Sequence, residues 1–124
     1  YGVSLHKMNE KIDEGGIIKV NKFPINDSDT GFSLAVKANE ELYSLFVETI
    51  GQIIDGSFII NRNKKESGIT YTKKMFRENQ CIANKVDVHK YYRAYHHPRL
   101  EGVYCIKNGS KFILTPQLIS KLYN

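Results

Sequence analysis

Within residues 2–8 the apolar residues Val3 and Leu5 stand two apart, as in a strand, with Met8 outside this alternation. A second apolar run covers residues 17–23 before Pro24 stops it. The residues between these runs, 9–14, are mostly polar and are followed by Gly15-Gly16. Glycine adopts backbone angles that are closed to other residues, so this loop can turn sharply and approach a ligand closely. The pattern predicts two strands that flank one acidic, glycine-ended loop.

A long amphipathic helix is predicted from about Asp29 to Ile54, after a polar run rich in N-cap residues. The resulting apolar stripe is about 100° wide and must face a sheet or other helices, and two short strands are too few to cover it. We therefore expect Leu34, Leu42 and Phe46 either to be exposed or to be covered by a further segment. Apolar side chains recur in this helix mostly three or four positions apart: Leu34, Ala38, Leu42, Leu45, Phe46, Ile50, Ile53 and Ile54.

The rest of the chain predicts a connector, a short helix and a hairpin. Over residues 58–75 the apolar pattern weakens into short extended pieces with a charged, flexible centre. Asp87 is a suitable cap for a short helix that Pro98 stops. Asn108-Gly109, the dipeptide that most favours a tight hairpin turn, is then flanked by two apolar runs, residues 103–106 and 112–114.

Charge and composition add few constraints. The net charge of +5 suits a ligand that carries phosphate, although the basic residues are scattered along the chain. No apolar stretch approaches the roughly 20 residues of a membrane span, and no leader resembles a signal peptide, so we expect a cytoplasmic protein without a membrane partner. Cys81 and Cys105 lack the spacing of a zinc or redox pair. His89 and His96-His97 lack a suitably spaced carboxylate or cysteine, so no metal is expected.

Two segments near the start of the chain carry a resemblance to a known family. The signature of the folate-dependent formyltransferases is similar to G-V-S-L-H at residues 2–6 followed by I-D-E-G-G-I-I at residues 12–18. His6 and Asp13 have the separation that this family shows. Downstream, the sequence Y-R-A-Y at residues 92–95 resembles the family's R-A-F segment, which introduces its second subdomain.

The resemblance implies an α/β fold. Residues 1–60 would be the carboxyl-terminal part of a Rossmann-like formyltransferase catalytic domain, residues 61–85 a linker, and residues 86–124 a small carboxyl-terminal subdomain with a short helix and the β-hairpin. If the first two strands are parallel neighbours, the remaining strands of the core lie beside them and come from a segment before Tyr1. A chain that opens at once into a strand also indicates a piece of a longer protein. Ser4 and Gly16 depart from the family pattern, and neither change removes a reactive group.

The resemblance also implies the chemistry. The family transfers a formyl group from N10-formyltetrahydrofolate, a co-substrate, to a primary amine. The tetrahedral intermediate carries negative charge on oxygen, and a proton must leave the attacking nitrogen. Asp13 matches the catalytic aspartate of the family. The asparagine and histidine that act with it belong to an upstream N-x-H motif, which does not stand before Tyr1, so we expect the chain by itself to be inactive.

The residues around Asp13 take their roles from the same match. His6 lies in a predicted strand and would orient the loop that bears Asp13, although a purely structural histidine is the alternative. Without the family match, an aspartate between a strand and glycines is usually a turn residue. Four loop residues match the part of the family that cradles the pterin ring, largely through backbone groups: Asn9, Glu10, Lys11 and Ile12.

The small region after the connector favours one branch of the family. The tRNA enzyme carries a barrel-like domain there, and the residues available here are too few for a closed barrel. The resemblance is to the sugar N-formyltransferases, which implies a nucleotide-linked amino sugar of the kind used for surface polysaccharide. Tyr92 and Arg93 would bind it, with the arginine on the diphosphate. The oligomeric state stays open, a homodimer included.

Two alternatives remain. The first is an enzyme similar to methionyl-tRNA formyltransferase. The second is a non-enzymatic basic module that binds nucleic acid by stacking bases on Tyr91, Tyr92 and Tyr95, which would leave the Asp13 loop unexplained. Such a tyrosine stripe is more often the packing face of a short helix.

Overall fold

The computed structural model describes residues 1–10, 15–61, 71–82 and 87–123. Contacts within the chain divide it into two compact units. Unit 1 contains residues 1–26 and 34–68, and unit 2 contains residues 27–33 and 69–124.

The two strands of unit 1 are antiparallel neighbours. β1 (Gly2–His6) pairs with β2 (Ile17–Lys22), from Gly2 opposite Lys22 to His6 opposite Ile17, with an irregularity of register between Leu5 and His6. A parallel arrangement of these strands, considered above, is wrong. Parallel neighbours need a crossover of a dozen or more residues, and the connection over residues 7–16 is shorter than that.

Helix α1 (Gly31–Asp55) follows β2 and confirms the predicted long helix. Its first three residues belong to unit 2 and the others to unit 1. Within unit 1, Leu45 is fully buried, whereas Leu42 and Phe46 are 40% and 46% exposed. The expected exposure is therefore confirmed for Leu42 and Phe46, while Leu34 is half-buried.

These exposed apolar side chains predict how residues 1–124 behave when expressed alone. Water-exposed apolar patches favour association, so this chain should aggregate or stay partly unfolded. The double variant Leu42→Lys with Phe46→Lys should increase the soluble fraction, because it places charge on the patch. Light scattering coupled to gel filtration measures the association state and the soluble fraction of the wild-type chain and of the double variant. A monomeric wild-type chain with a cooperative thermal transition would contradict the prediction.

The described residues of unit 2 form three short helices and a hairpin. These are α2 (Lys73–Gln80), α3 (Val88–Tyr95), β3 (Tyr104–Lys107), β4 (Ser110–Ile113) and α4 (Pro116–Tyr123). Asp87 caps α3 as predicted, since its Oδ1 accepts a hydrogen bond of 2.9 Å from the Lys90 N–H. The hairpin turns at Asn108 and Gly109, which both have the positive φ that such a tight turn requires. The elements enclose a buried apolar core: Ile82, Val88, Tyr95, Val103, Cys105, Leu114 and Ile119.

Two of these helices differ from the sequence-based expectation. α2 lies within the stretch predicted as linker, where Thr72 caps it by accepting a hydrogen bond from the Met75 N–H. α4 follows Thr115, whose hydroxyl accepts a hydrogen bond from the Leu118 N–H. In α2 the apolar residues are Met75 and Phe76, which are adjacent and give no helical period. In α4 the spacing of Leu118, Ile119 and Leu122 fits a helix, and together with the Thr115 cap it is a signal that the sequence did carry.

Candidate functional site

The base of the loop that carries the family signature is closed at Gly15. The Lys7 N–H donates a hydrogen bond of 2.9 Å to the Gly16 carbonyl and extends the β1–β2 pairing by one step. A Cβ atom at Gly15 would overlap the Lys7 carbonyl oxygen and would lie 3.2 Å from Cδ2 of His6. Gly15 is buried, and its φ is not in the left-handed region. Lack of space, rather than an unusual backbone angle, therefore requires glycine here.

Gly16 and Ile17 fix the same loop on its other side. A Cβ atom at Gly16 would overlap the side chain of Ile60. Ile17 and Asn61 exchange two backbone hydrogen bonds of 2.9 and 2.8 Å. Residues 15–17, which follow the loop, are thus held between β1 and residues 60–61.

Three of the predicted folate-site residues fall within the described part of the chain. His6 ends β1 and is exposed, and its Cδ2 lies 3.2 Å from where a Cβ atom of Gly15 would stand. Asn9 and Glu10 are exposed. The predicted catalytic residue Asp13 lies outside the described residues, as do Lys11 and Ile12.

The predicted substrate residues Tyr92 and Arg93 lie on α3 and are half-buried. The Tyr92 ring packs against the core of unit 2 and stands 5.6 Å from the His96 ring. Tyr92 also lines a pocket of about 290 Å³ at the end of α3. Most of the pocket wall comes from rings: Tyr92, Tyr95, His96, His97 and Pro98. The remaining wall is formed by Leu100, Glu101, Gly102 and Leu114, so within the described chain Arg93 is not part of it.

The polar groups of this pocket are largely committed to the protein. Nδ1 of His97 accepts a hydrogen bond of 3.1 Å from the Arg99 N–H, so a neutral His97 ring carries its proton on Nε2. Burial raises the pKa of Tyr95, and its hydroxyl donates to the Phe76 carbonyl at 3.0 Å. Glu101 pairs with Lys111 at 2.7 Å. Among the described residues that line the pocket there is no lysine or arginine, which suits an uncharged ring better than a phosphate.

The first turn of α1 lies against the wall of this pocket, within unit 2. The Phe32 N–H donates a hydrogen bond of 2.9 Å to the His96 carbonyl, and the Phe32 ring meets the His97 ring edge-on at 5.5 Å. Neither Gly31 nor Phe32 stands out in the sequence as a site residue. The available signal was a glycine directly after Thr30, where a helix with a good cap has no conformational need for one.

The tyrosines of α3 pack against the core of unit 2 to different degrees. Tyr95 is 8% exposed within the core, and Tyr91 and Tyr92 pack against that core half-buried. The buried Tyr95 ring cannot stack on a base, so α3 does not present the three-tyrosine stacking surface of the nucleic-acid-binding module considered above.

Among the described residues, no group of three or more His, Cys, Asp and Glu side chains is arranged to hold a metal ion. In the same part of the chain, no helix is both long and apolar enough to cross a membrane.

Comparison with known proteins identifies relatives of the chain. No protein-family model matches it. A methionyl-tRNA formyltransferase from Buchnera aphidicola subsp. Schizaphis graminum is 31% identical over 81 residues, which cover 65% of this chain and 26% of the relative. The structure of a 4-N formyltransferase from Francisella tularensis matches 90% of this chain and 48% of its own with a TM-score of 0.80 and 24% identity. The chain is thus similar to formyltransferases in sequence and in fold.

A third similar protein has a structure with bound ligands. It is the N-formyltransferase from Helicobacter canadensis in complex with folinic acid and dTDP-3-aminofucose, with a TM-score of 0.69 and 25% identity over 90% of this chain and 42% of its own. The chain thus spans about half the length of the solved formyltransferases and about a quarter of the tRNA enzyme. The predicted resemblance to formyltransferases and a partial α/β formyltransferase fold are confirmed.

Proposed function

We propose that the full-length formyltransferase moves the formyl group of N10-formyltetrahydrofolate to the amine of a nucleotide-linked amino sugar. The observation that carries this proposal is the structural match over 90% of the chain to N-formyltransferases, one of which was solved with folinic acid and dTDP-3-aminofucose. The product would be an N-formylated sugar of the kind used for surface polysaccharide.

The loop between β1 and β2 would serve the folate. Asn9, Glu10, Lys11 and Ile12 would hold the pterin ring mainly through backbone groups, and the closure at Gly15 would fix the shape of that backbone. Asp13, two residues before Gly15, would accept the proton that leaves the amine nitrogen as it attacks the formyl carbon. His6, which approaches Gly15, would keep the loop oriented.

The amino-sugar nucleotide would bind near α3. Tyr92 lines the pocket at the end of this helix, and its half-buried ring offers an apolar face for a sugar or a base. Arg93 lies one residue further along α3, outside the wall of the pocket, where its guanidinium would meet the diphosphate. The hairpin β3–β4 would belong to the small carboxyl-terminal subdomain that sugar N-formyltransferases carry.

The test of this function is a formyl-transfer assay on the full-length enzyme. Release of tetrahydrofolate is followed with a panel of nucleotide-linked amino sugars, and mass spectrometry identifies the formylated product. Turnover with at least one amino sugar, and none with the matching sugar that carries hydroxyl in place of amine, is the expected result. Absence of turnover with every amino sugar would sink the proposal.

Arg93→Gln is expected to raise the KM for the amino-sugar nucleotide about tenfold, because it removes a charge-assisted contact to the diphosphate. The KM for the folate should not change. Arg77→Gln, which removes an exposed arginine from α2, is the matched control and should leave both constants as they are. Equal constants for Arg93→Gln and the wild type would remove Arg93 from the substrate site.

A second candidate rests on the sequence match to methionyl-tRNA formyltransferase. Methionyl-tRNA is therefore included in the same assay. Faster formylation of methionyl-tRNA than of any amino sugar would favour this candidate over the sugar enzyme.

A further inference from the structure

Helix α1 contains two glycines whose surroundings differ sharply. A Cβ atom at Gly31 would overlap the Ala94 carbonyl oxygen at the end of α3, and it would lie 3.6 Å from the His96 carbonyl oxygen. A Cβ atom at Gly51, in the same helix, would have no neighbour within 4 Å. Of these two positions, only 31 must be glycine, because the backbone at the end of α3 leaves no room there for a side chain.

The contact at Gly31 is one of three between the first turn of α1 and the end of α3. The others are the hydrogen bond from the Phe32 N–H to the His96 carbonyl and the edge-on contact of the Phe32 and His97 rings. The His96 N–H donates to the Arg93 carbonyl, so the residue that receives the Phe32 bond also ends α3. The absent side chain lets the two backbones come close enough for the Phe32 bond to form.

The first turn of α1 is itself rigid. Thr30 and Ser33 cap it reciprocally, since the Ser33 N–H donates to the Thr30 hydroxyl at 3.1 Å and the Thr30 N–H donates to the Ser33 hydroxyl at 2.9 Å. The Ser33 hydroxyl also donates to the Asp29 carboxylate at 2.8 Å. Because the end of α3 packs against this capped turn, the turn can fix the position of the end of α3.

We infer that Gly31 and Phe32 are positioning residues for the substrate pocket at the end of α3. His96 and His97 form one wall of this pocket, and Tyr92, one turn earlier on α3, forms another. A displaced last turn of α3 would move all three rings. Among the described residues of the pocket wall there is no lysine or arginine and most are rings, so the pocket receives the base of the nucleotide-linked amino sugar rather than its diphosphate. The assignment of this ligand rests on the proposed function.

The kinetic test compares Gly31→Ala with Gly51→Ala in the full-length enzyme. Gly31→Ala should raise the KM for the amino-sugar nucleotide about tenfold and leave the KM for the folate unchanged, because small displacements of binding groups weaken only the ligand they touch. Gly51→Ala should change neither constant and should slightly raise Tm, since alanine is the better helix former. Phe32→Leu, which keeps the backbone hydrogen bond, should raise the KM for the amino-sugar nucleotide less than Gly31→Ala does.

A binding test separates this inference from the proposed function. Calorimetry with dTDP, UDP, GDP and CDP selects the diphosphate that binds most tightly, and NMR follows the imidazole signals of His96 and His97 without any substrate. Gly31→Ala should shift those signals and lower the affinity for the selected nucleoside diphosphate, whose base enters the pocket, about tenfold. Both effects are expected whether or not an amino sugar is formylated. If Gly31→Ala unfolds the enzyme, Phe32→Leu takes its place in both measurements. Wild-type imidazole signals, or wild-type affinity in a folded variant, would overturn the inference.

Discussion

Asp13→Asn in the full-length enzyme is expected to lower turnover about a hundredfold or more, with no change in folate affinity. An amine that attacks the formyl carbon becomes positively charged and must lose a proton before the intermediate collapses. Asparagine has the size of aspartate and keeps the loop in place, but it cannot accept that proton. The change should therefore lower kcat and leave the affinity for the folate unchanged.

The matched control for Asp13→Asn is Glu10→Gln, which removes a carboxylate from an exposed residue in the same loop. This variant should keep nearly full turnover, because the loop is proposed to bind the folate through its backbone. Stopped-flow measurement of a single turnover separates the chemical step from product release. Near-normal single-turnover rates for Asp13→Asn would remove it from the catalytic role.

Gly15→Val is expected to abolish measurable folate binding. The valine side chain would overlap the Lys7 carbonyl oxygen. Because this oxygen belongs to the backbone, no side-chain rotation can relieve the clash. The strand pairing at Lys7 and Gly16 would open, and the loop would lose the shape that holds the pterin. Fluorescence titration with 5-formyltetrahydrofolate measures the effect.

The control for Gly15→Val is Lys11→Ala in the same loop. A backbone-mediated site should tolerate this side-chain change, so its folate affinity should stay close to that of the wild type. Circular dichroism checks that Gly15→Val keeps α1 and the helices of unit 2. A folded Gly15→Val variant with wild-type folate affinity would show that the loop is not the folate site.

The elements with strong local signals could be predicted from the sequence. Asp87 followed by a short apolar period was sufficient to predict α3, and the many apolar positions after Asp29 were sufficient for α1. The Thr115-Pro116 pair was a usable sign of α4, because threonine caps helices and proline is favoured at their first position. In α2 the apolar residues are Met75 and Phe76, which are adjacent and give no period, so its Thr72 cap is the better signal.

The tertiary contacts were beyond sequence reasoning. The pair Gly15-Gly16 was interpreted as conformational freedom, whereas the structure shows that neighbouring backbone and the Ile60 side chain leave no room there. Gly31 was not singled out, because its requirement depends on α3, which lies about sixty residues away in the chain. His96 and His97 were considered only as metal ligands, and the structure places them in the wall of a pocket with Tyr92. Each of these features depends on residues that are distant in sequence.

The most direct measurement of the proposed function is transfer of a carbon-13 label from the donor. N10-formyltetrahydrofolate labelled in its formyl carbon is incubated with the full-length enzyme and the amino-sugar nucleotide that turns over fastest, with methionyl-tRNA in a parallel reaction. The proposed function predicts that the label appears as a formamide on the sugar nitrogen, seen by its NMR correlation to the adjacent sugar proton. Label found on the methionyl amine alone, or only in free formate, would contradict it.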